Sequence, residues 1–290
     1  MDTAIGSEAI ADQTIEDEKP TLVIRPTRGW GSLGLGELWE YRELLWFMTW
    51  REVKGRYRQM ALGPLWILIR PLVSAIMFSL VFGRLARLPS EDIPYPLFTF
   101  TALLPWTYFA GAAGASVSSL VSRMNLISKV YFPRLIVPIS AVLSNLIDMA
   151  FSFIVLIGMM IYYGVRPSLS LLALPLYVLL ATATALAVGL WCSALTVKFR
   201  DMQIVISHGL QIWMFATPVA YTATLIPERW QALYQLNPMY WAIEGFRWSL
   251  LGKGQPPQTG MLVSVGIVLF LLITGAFIFR RTERNIVDLL

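Results

Sequence analysis

Charge, histidine, cysteine and nucleotide loops are all scarce in this chain, and each scarcity excludes something. Only 14% of the 290 residues are charged, against about a quarter in a soluble domain, so no large aqueous domain fits in it. The single histidine, His208, rules out a histidine-based proton relay and leaves no His/Cys cluster with metal-ligand spacing. The single cysteine, Cys192, excludes an intrachain disulfide; inside an apolar stretch it is a small packing residue. No glycine-rich phosphate loop is followed by Lys-Ser or Lys-Thr, and no serine sits in a glycine-flanked elbow. The chain therefore carries no machinery of its own for nucleotide hydrolysis or acyl transfer, and if it moves a solute uphill the energy comes from a partner.

What fills the space is apolar: 56% of residues are hydrophobic. Six long stretches run from Leu65 to Leu85, Leu97 to Val121, Leu135 to Tyr163, Leu169 to Thr196, Met202 to Thr222 and Met261 to Phe279. At ~1.5 Å of rise per residue each is long enough as a helix to cross a hydrocarbon layer about 30 Å thick. Thirteen cations (Arg42, Arg51, Lys54, Arg56, Arg58, Arg123, Lys129, Arg134, Lys198, Arg200, Arg280, Arg281, Arg284) flank the stretches on one side. Six (Arg84, Arg87, Arg166, Arg229, Arg247, Lys253) flank them on the other. The richer side is expected to be cytoplasmic, placing both termini inside, as an even number of crossings requires. This topology and anionic headgroups account for the net charge of +5 without a nucleic-acid partner. Residues 1–36 are polar, acidic and then basic, and glycine-rich at the end; they are expected to form a mobile tail, with no charged start and apolar run of the kind a cleavable signal needs.

Two apolar segments do not span. Leu44 to Trp50 is short and is followed at once by Arg51, Glu52, Lys54, Arg56 and Arg58, the pattern of an interfacial helix with aromatics at headgroup level and cations facing phosphate or a partner protein. Leu225 to Leu251 is rich in Trp and Tyr, yet Pro227, Glu228, Arg229, Pro238, Glu244 and Arg247 interrupt it. Two short helices re-entering from the outside fit, provided their backbone is buried in protein or lines a wet cavity. Trp241, Glu244 and Trp248 share one helical face there; it suits either stacking on sugar rings or an interfacial aromatic belt.

Inside the stretches Arg70, Asp148 and His208 are the polar exceptions. An ionised group near a bilayer centre costs roughly 2.5–3.5 kcal/mol, so Asp148 is expected to face protein or water and to find a donor, with Asn145 one turn away. Such residues suit a hydrophilic path for a polar cargo or a polar contact between helices. On the cytoplasmic side, residues 122–134 are expected to form a short helix with Leu126, Ile127 and Val130 on its apolar side, stopped by Pro133. The Lys198–Asp201 turn is a second place for a partner to dock.

Four segments then carry a resemblance: KGRYRQMALGPLWILIRPL (Lys54 to Leu72), NLISKVYFPRLIVPISAVLSNLID (Asn125 to Asp148), the Arg200-Asp201 pair and Asn237-Pro238. They resemble the membrane subunits of bacterial ABC exporters of O-antigen, capsular and teichoic-acid polymers. The resemblance spans Trp39 to the C-terminus, and it implies an all-α integral membrane fold: a transmembrane domain over 37–290 with six crossings, an interfacial helix (Leu38 to Met60) and outer re-entrant helices (Ile226 to Leu251). It also implies a homodimer in the inner membrane bound to two ATPase subunits, which hold ATP and Mg while this chain holds no cofactor. A lipid-linked polysaccharide would pass through a channel between the protomers. The ATPase-coupling residues implied are Arg123, Asn125, Leu126, Lys129, Tyr131, Phe132 and Arg134, with Arg200 and Asp201. The pore aromatics implied are Trp106, Tyr108 and Phe109, which join Asp148, Trp241, Glu244 and Trp248 along the glycan path. The same architecture exporting a drug or lipid is the nearest alternative; a membrane-embedded sugar-modifying enzyme is more distant, because it would need a catalytic histidine or acid pair at a membrane face and the single histidine lies inside an apolar stretch.

Overall fold

The structure is a computed structural model that describes residues 35–58, 65–123, 132–199 and 201–286. These residues form helices and loops, with no strand among them. In chain order the helices are α1 (Leu35–Glu40), α2 (Arg42–Tyr57), α3 (Leu65–Phe78, continuing as a π-helix over Ser79–Leu85), α4 (Tyr95–Ser122), α5 (Ile136–Tyr162), α6 (Leu174–Lys198, entered through a 3-10 turn at Leu169–Ala173), α7 (Met202–Phe215), α8 (Glu228–Gln235), α9 (Pro238–Leu251) and α10 (Thr259–Ile286).

Proline and glycine set many of the boundaries. Pro96 and Pro175 lie in the first turns of α4 and α6, where a missing N–H costs nothing. Gly252 closes α9 at φ 67°, a left-handed conformation that glycine adopts without strain. The fifth apolar stretch is helical only as far as Phe215. Turns at Ala216–Pro218 stop it, since Pro218 cannot donate the next helical hydrogen bond and biases Thr217 away from helix.

Helix α4 is the axis. It packs against α5 and α6 most extensively and also touches α3, α7 and α9. Eighteen of its 28 residues are buried, so it is enclosed by protein and can carry Ser, Thr, Gly and Pro where a lipid-facing helix would carry Leu. Close approach to its neighbours depends on small residues: a Cβ at Gly189 of α6 would lie 2.3 Å from the Ser116 hydroxyl of α4. Helix α10 closes the far side of α6, where the Trp191 indole donates to the Leu271 carbonyl at 3.1 Å.

Among the described residues, four helical segments are long and apolar enough to cross a membrane: Leu68–Leu85, Ile136–Tyr162, Leu169–Lys198 and Thr259–Thr282. Of the other two expected crossings, α4 has the length but a more polar composition, and α7 has 14 residues. Large apolar side chains on α3 (Val73, Ile76, Met77), α5 (Ile154, Ile157, Ile161) and α10 (Leu262, Phe270) are exposed, the surface expected of a bundle that lies in lipid.

Candidate functional site

Three polar regions interrupt this apolar bundle. The first lies between α2, the end of α4 and the first half of α5. Arg56 of α2 forms an ion pair with Asp148 of α5 and donates to the Ser144 hydroxyl (3.1 Å) and the Asn145 carbonyl oxygen (3.4 Å). The Tyr57 hydroxyl donates to the other Asp148 oxygen at 2.6 Å. One turn earlier, Glu52 pairs with Arg123 at the C-terminus of α4 and accepts from the Ser144 hydroxyl at 3.1 Å. Burial first, then the hydrogen bond to Asp148 and its charge, pushes the Tyr57 hydroxyl up to about 12. Burial lowers Arg123 from its ordinary value while Glu52 opposes that shift. Asp148 thus finds its donor, and the donor comes from α2. Arg56 is turned inward, away from the headgroup or partner role expected of it, whereas Arg51, Lys54 and Arg58 are exposed. The opposite face of α2 is aromatic and open: Trp46 and Trp50 stack at 6.1 Å and 5° between planes, beside exposed Trp39 and Phe47. A helix whose one face packs on α5 through Met48 and Thr49 while indoles and cations fill the others is amphipathic in the interfacial sense. Next to this network a cavity of about 430 Å³ opens between α3, α4 and α5, lined by Trp66, Arg70, Thr107, Tyr108 and Asp148.

The second region is a groove of about 340 Å³ between α4 and α7. Trp106, Ala110, Gly114 and Ser118 line it from α4, and Gln203, Ser207 and Gln211 line it from α7. Both sets recur every four residues, one face of a helix. Only Leu210 of α7 is buried, so the polar stripe lies on a helix this chain does not cover. Trp106 belongs to an aromatic cluster with Phe109 and Trp213, at 5.4 and 6.4 Å between ring centres, and Phe109 and Trp213 lie 5.1 Å apart. Phe109 is fully buried. Tyr108 points the other way, to the cavity beside Asp148, and donates to Thr182 Oγ1 at 2.9 Å. Of the three aromatics expected along one path, Trp106 and Phe109 share one cluster with Trp213, and Tyr108 lies apart from them.

The third region is the segment from Pro218 to Gln258. Asn237 caps α9 by accepting from the Met239 N–H (3.0 Å) and ties it to α7, accepting from the Trp213 indole at 3.1 Å and donating to Thr217 at 3.0 Å; this is the physical reason for the Asn237-Pro238 dipeptide. The face expected to stack on sugar is closed in this chain. Trp241 is 1% exposed, with its indole N–H donated to the Gln235 carbonyl at 2.9 Å. Glu244 pairs with Arg247 at 2.9 Å and accepts from the Gln255 N–H; Trp248 is half-buried. Arg247 also donates to the Val219 and Tyr221 carbonyls and lies 3.8 Å over the Phe98 ring. Nearly every residue of α9 is buried, and the Glu244–Arg247 pair is an internal tie holding the segment to α4.

Asn125, Leu126, Lys129, Tyr131 and Arg200 lie outside the described residues. Of the flanking coupling candidates, Arg123 is engaged with Glu52, Arg134 is half-buried, Asp201 is exposed, and Phe132 is buried against Met48, Leu120 and Ile136. Among the described residues no group of three or more His, Cys, Asp or Glu is placed to hold a metal ion. The Gln203, Ser207 and Gln211 stripe carries no charge, and its only signal in the sequence is polar residues at i, i+4 and i+8 in an apolar stretch.

Residues 43–251 match the family described as ABC-2 type transporter. The chain is 32% identical over 252 residues to the O-antigen export system permease protein of Myxococcus xanthus, covering 85% of this chain and 96% of that one. It is 29% identical over 250 residues (86% and 95%) to the O-antigen export system permease protein of Klebsiella pneumoniae. It is 23% identical over 242 residues (80% and 91%) to the polysialic acid transport protein of Escherichia coli. With its membrane-length helices and a match running almost end to end, the chain is a multi-pass membrane protein that belongs to the ABC-2 type transporter family.

Proposed function

We propose that this chain is the permease subunit of an ATP-driven exporter that moves a lipid-linked polysaccharide of the O-antigen or capsule type across the bacterial inner membrane. The observation that carries this reading is the nearly full-length similarity to permeases whose names specify O-antigen export and polysialic acid transport. In this reading α4 and α7 complete six crossings with α3, α5, α6 and α10, and α8 and α9 re-enter from the outer face. The cation excess on the other face keeps both termini cytoplasmic.

The exporter is a homodimer bound to two copies of a separate ATPase, which supplies the ATP and Mg site this sequence lacks. Two features support a second copy: the exposed α7 with its Gln203, Ser207 and Gln211 stripe, and the exposed apolar flank of α3. Two such stripes facing each other would wall a channel with amides and hydroxyls. These groups exchange hydrogen bonds with sugar hydroxyls without fixing one register, which a sliding polymer needs. Residues 123–134 and the turn before α7 dock the ATPase. Co-expression with a candidate ABC ATPase from the same organism tests the reading: the two chains should co-purify and hydrolyse ATP, while the purified permease alone should not. ATP turnover by this chain alone, or absence of any complex, contradicts it.

A further inference from the structure

A third pocket, polar and of about 200 Å³, lies on the segment that holds α8 and α9. Gln231, Tyr234 and Gln235 of α8, Tyr240 of α9, and Gln255 and Gln258 of the following loop converge on it. None of its lining residues is charged, and the nearby Glu244 is already neutralised by Arg247. Its size lies well above one water's share of about 30 Å³ and below the ~300–1,000 Å³ of drug-sized clefts, which suits a single ring.

Much of its hydrogen-bonding capacity is unused. Gln231 spends one amide hydrogen on the Ile226 carbonyl at 3.3 Å, and Gln258 spends one on Gln255 Oε1 at 2.9 Å. Among the described residues, the Gln235 side-chain amide and the Tyr240 hydroxyl have no hydrogen-bond partner, although the Gln235 backbone carbonyl accepts from both Trp241 and Ser264 and fixes that turn in place. Amides offer paired donors and acceptors, and tyrosine adds a flat apolar ring with a polar tip. A neutral ligand carrying several vicinal hydroxyls satisfies such a set, whereas an ion would find no counter-charge.

We propose that this pocket binds one sugar residue of the exported glycan at the outer end of the transporter. The site rests on the exporter reading above and replaces the closed Trp241 and Trp248 face as the point where the outer segment meets the polymer. It is held in place because Asn237 and the Glu244–Arg247 tie anchor α9, and the Gln235 carbonyl at the end of α8 accepts from both Trp241 and Ser264. It is open to water because Gln231 and Gln258 are exposed.

The test uses a photo-crosslinking amino acid at Gln258 in the full transporter in glycan-producing cells, with Leu262, 71% exposed on α10, as the control position. Illumination should give a ladder spaced by the glycan repeat at position 258, none at 262, and none in cells that make no glycan. Adding Gln235→Leu and Tyr240→Phe should weaken the ladder at least ~3-fold, the scale of one or two lost hydrogen bonds, at unchanged protein level and gel-filtration profile. No ladder at 258 in cells that do export, equal ladders at 258 and 262, or a ladder indifferent to both substitutions would overturn the site. If deleting the gene leaves surface polysaccharide intact, the exporter reading itself fails, a result distinguishable from failure of the pocket.

Discussion

Removing the Asp148 carboxylate leaves the Arg56 guanidinium facing a cavity wall with its main partner gone and the Tyr57 hydroxyl without its 2.6 Å acceptor. Side-chain exposure of the pair is 28% for Arg56 and 24% for Asp148, so it is neither a solvated pair nor a fully buried one. Between the ~0–1 kcal/mol of exposed pairs and the 3–5 kcal/mol lost when a buried pair is broken, Asp148→Leu should cost about 1–3 kcal/mol. At ~2–4 °C per kcal/mol that is a fall in Tm of roughly 2–12 °C, readable by thermal unfolding of the detergent-solubilised protein. Asp148→Asn keeps an acceptor oxygen for Arg56 and Tyr57 and should lose less than half as much. The double variant Arg56→Leu with Asp148→Leu removes both charges and should recover part of the loss, a coupling that only directly interacting groups show. An unchanged Tm for Asp148→Leu, or a double variant whose loss equals the sum of the singles, would refute the assignment of Asp148 and Arg56 as a tie between α2 and α5.

Gly245→Ala would bring a methyl group to 2.1 Å from the Tyr177 ring; overpacking of this kind costs about 1–3 kcal/mol, so a Tm equal to that of the parent chain would contradict the close packing of α9 on α6. Arg123→Glu sets two carboxylates against each other at the start of the segment leading to residue 124 and should weaken co-purification of the ATPase, whereas the swap with Glu52→Arg should restore it; failure of the swap to rescue would place the effect elsewhere. Replacing Gln203 and Gln211 together by Leu should reduce export several-fold with membrane insertion and Tm unchanged, because neither side chain is buried in this chain; export at the parent rate would remove the α4–α7 groove from the path.

Apolar run length located the four membrane-length helices among the described residues to within a few residues, because a bilayer sets a minimum length for a crossing. Pro218 was visible as a stop for α7, yet apolarity alone carried the expected stretch on to Thr222. The need for a partner at Asp148 was legible from the cost of a lone charge. The identity of the partner was not, since Arg56 is 92 residues away and nothing in helical periodicity reports which amphipathic face meets which helix. Trp241, Glu244 and Trp248 do share a face. In a helix buried on nearly all sides, periodicity cannot separate the inner face from the outer one; the contacts of α9 with Gln235, Gln255 and Phe98 decide the matter. The polar stripe on α7 was present in the sequence as a four-residue repeat of Gln, Ser and Gln, masked by the apolar residues between them.

The most direct test is where the polysaccharide goes when this chain is removed. In a strain deleted for the gene but still synthesising the glycan, antibody labelling of intact and permeabilised cells should show the polymer lost from the surface and accumulated, still lipid-linked, on the cytoplasmic side, with the surface signal restored by the wild-type gene. Undiminished surface polysaccharide in the deletion strain would contradict the account.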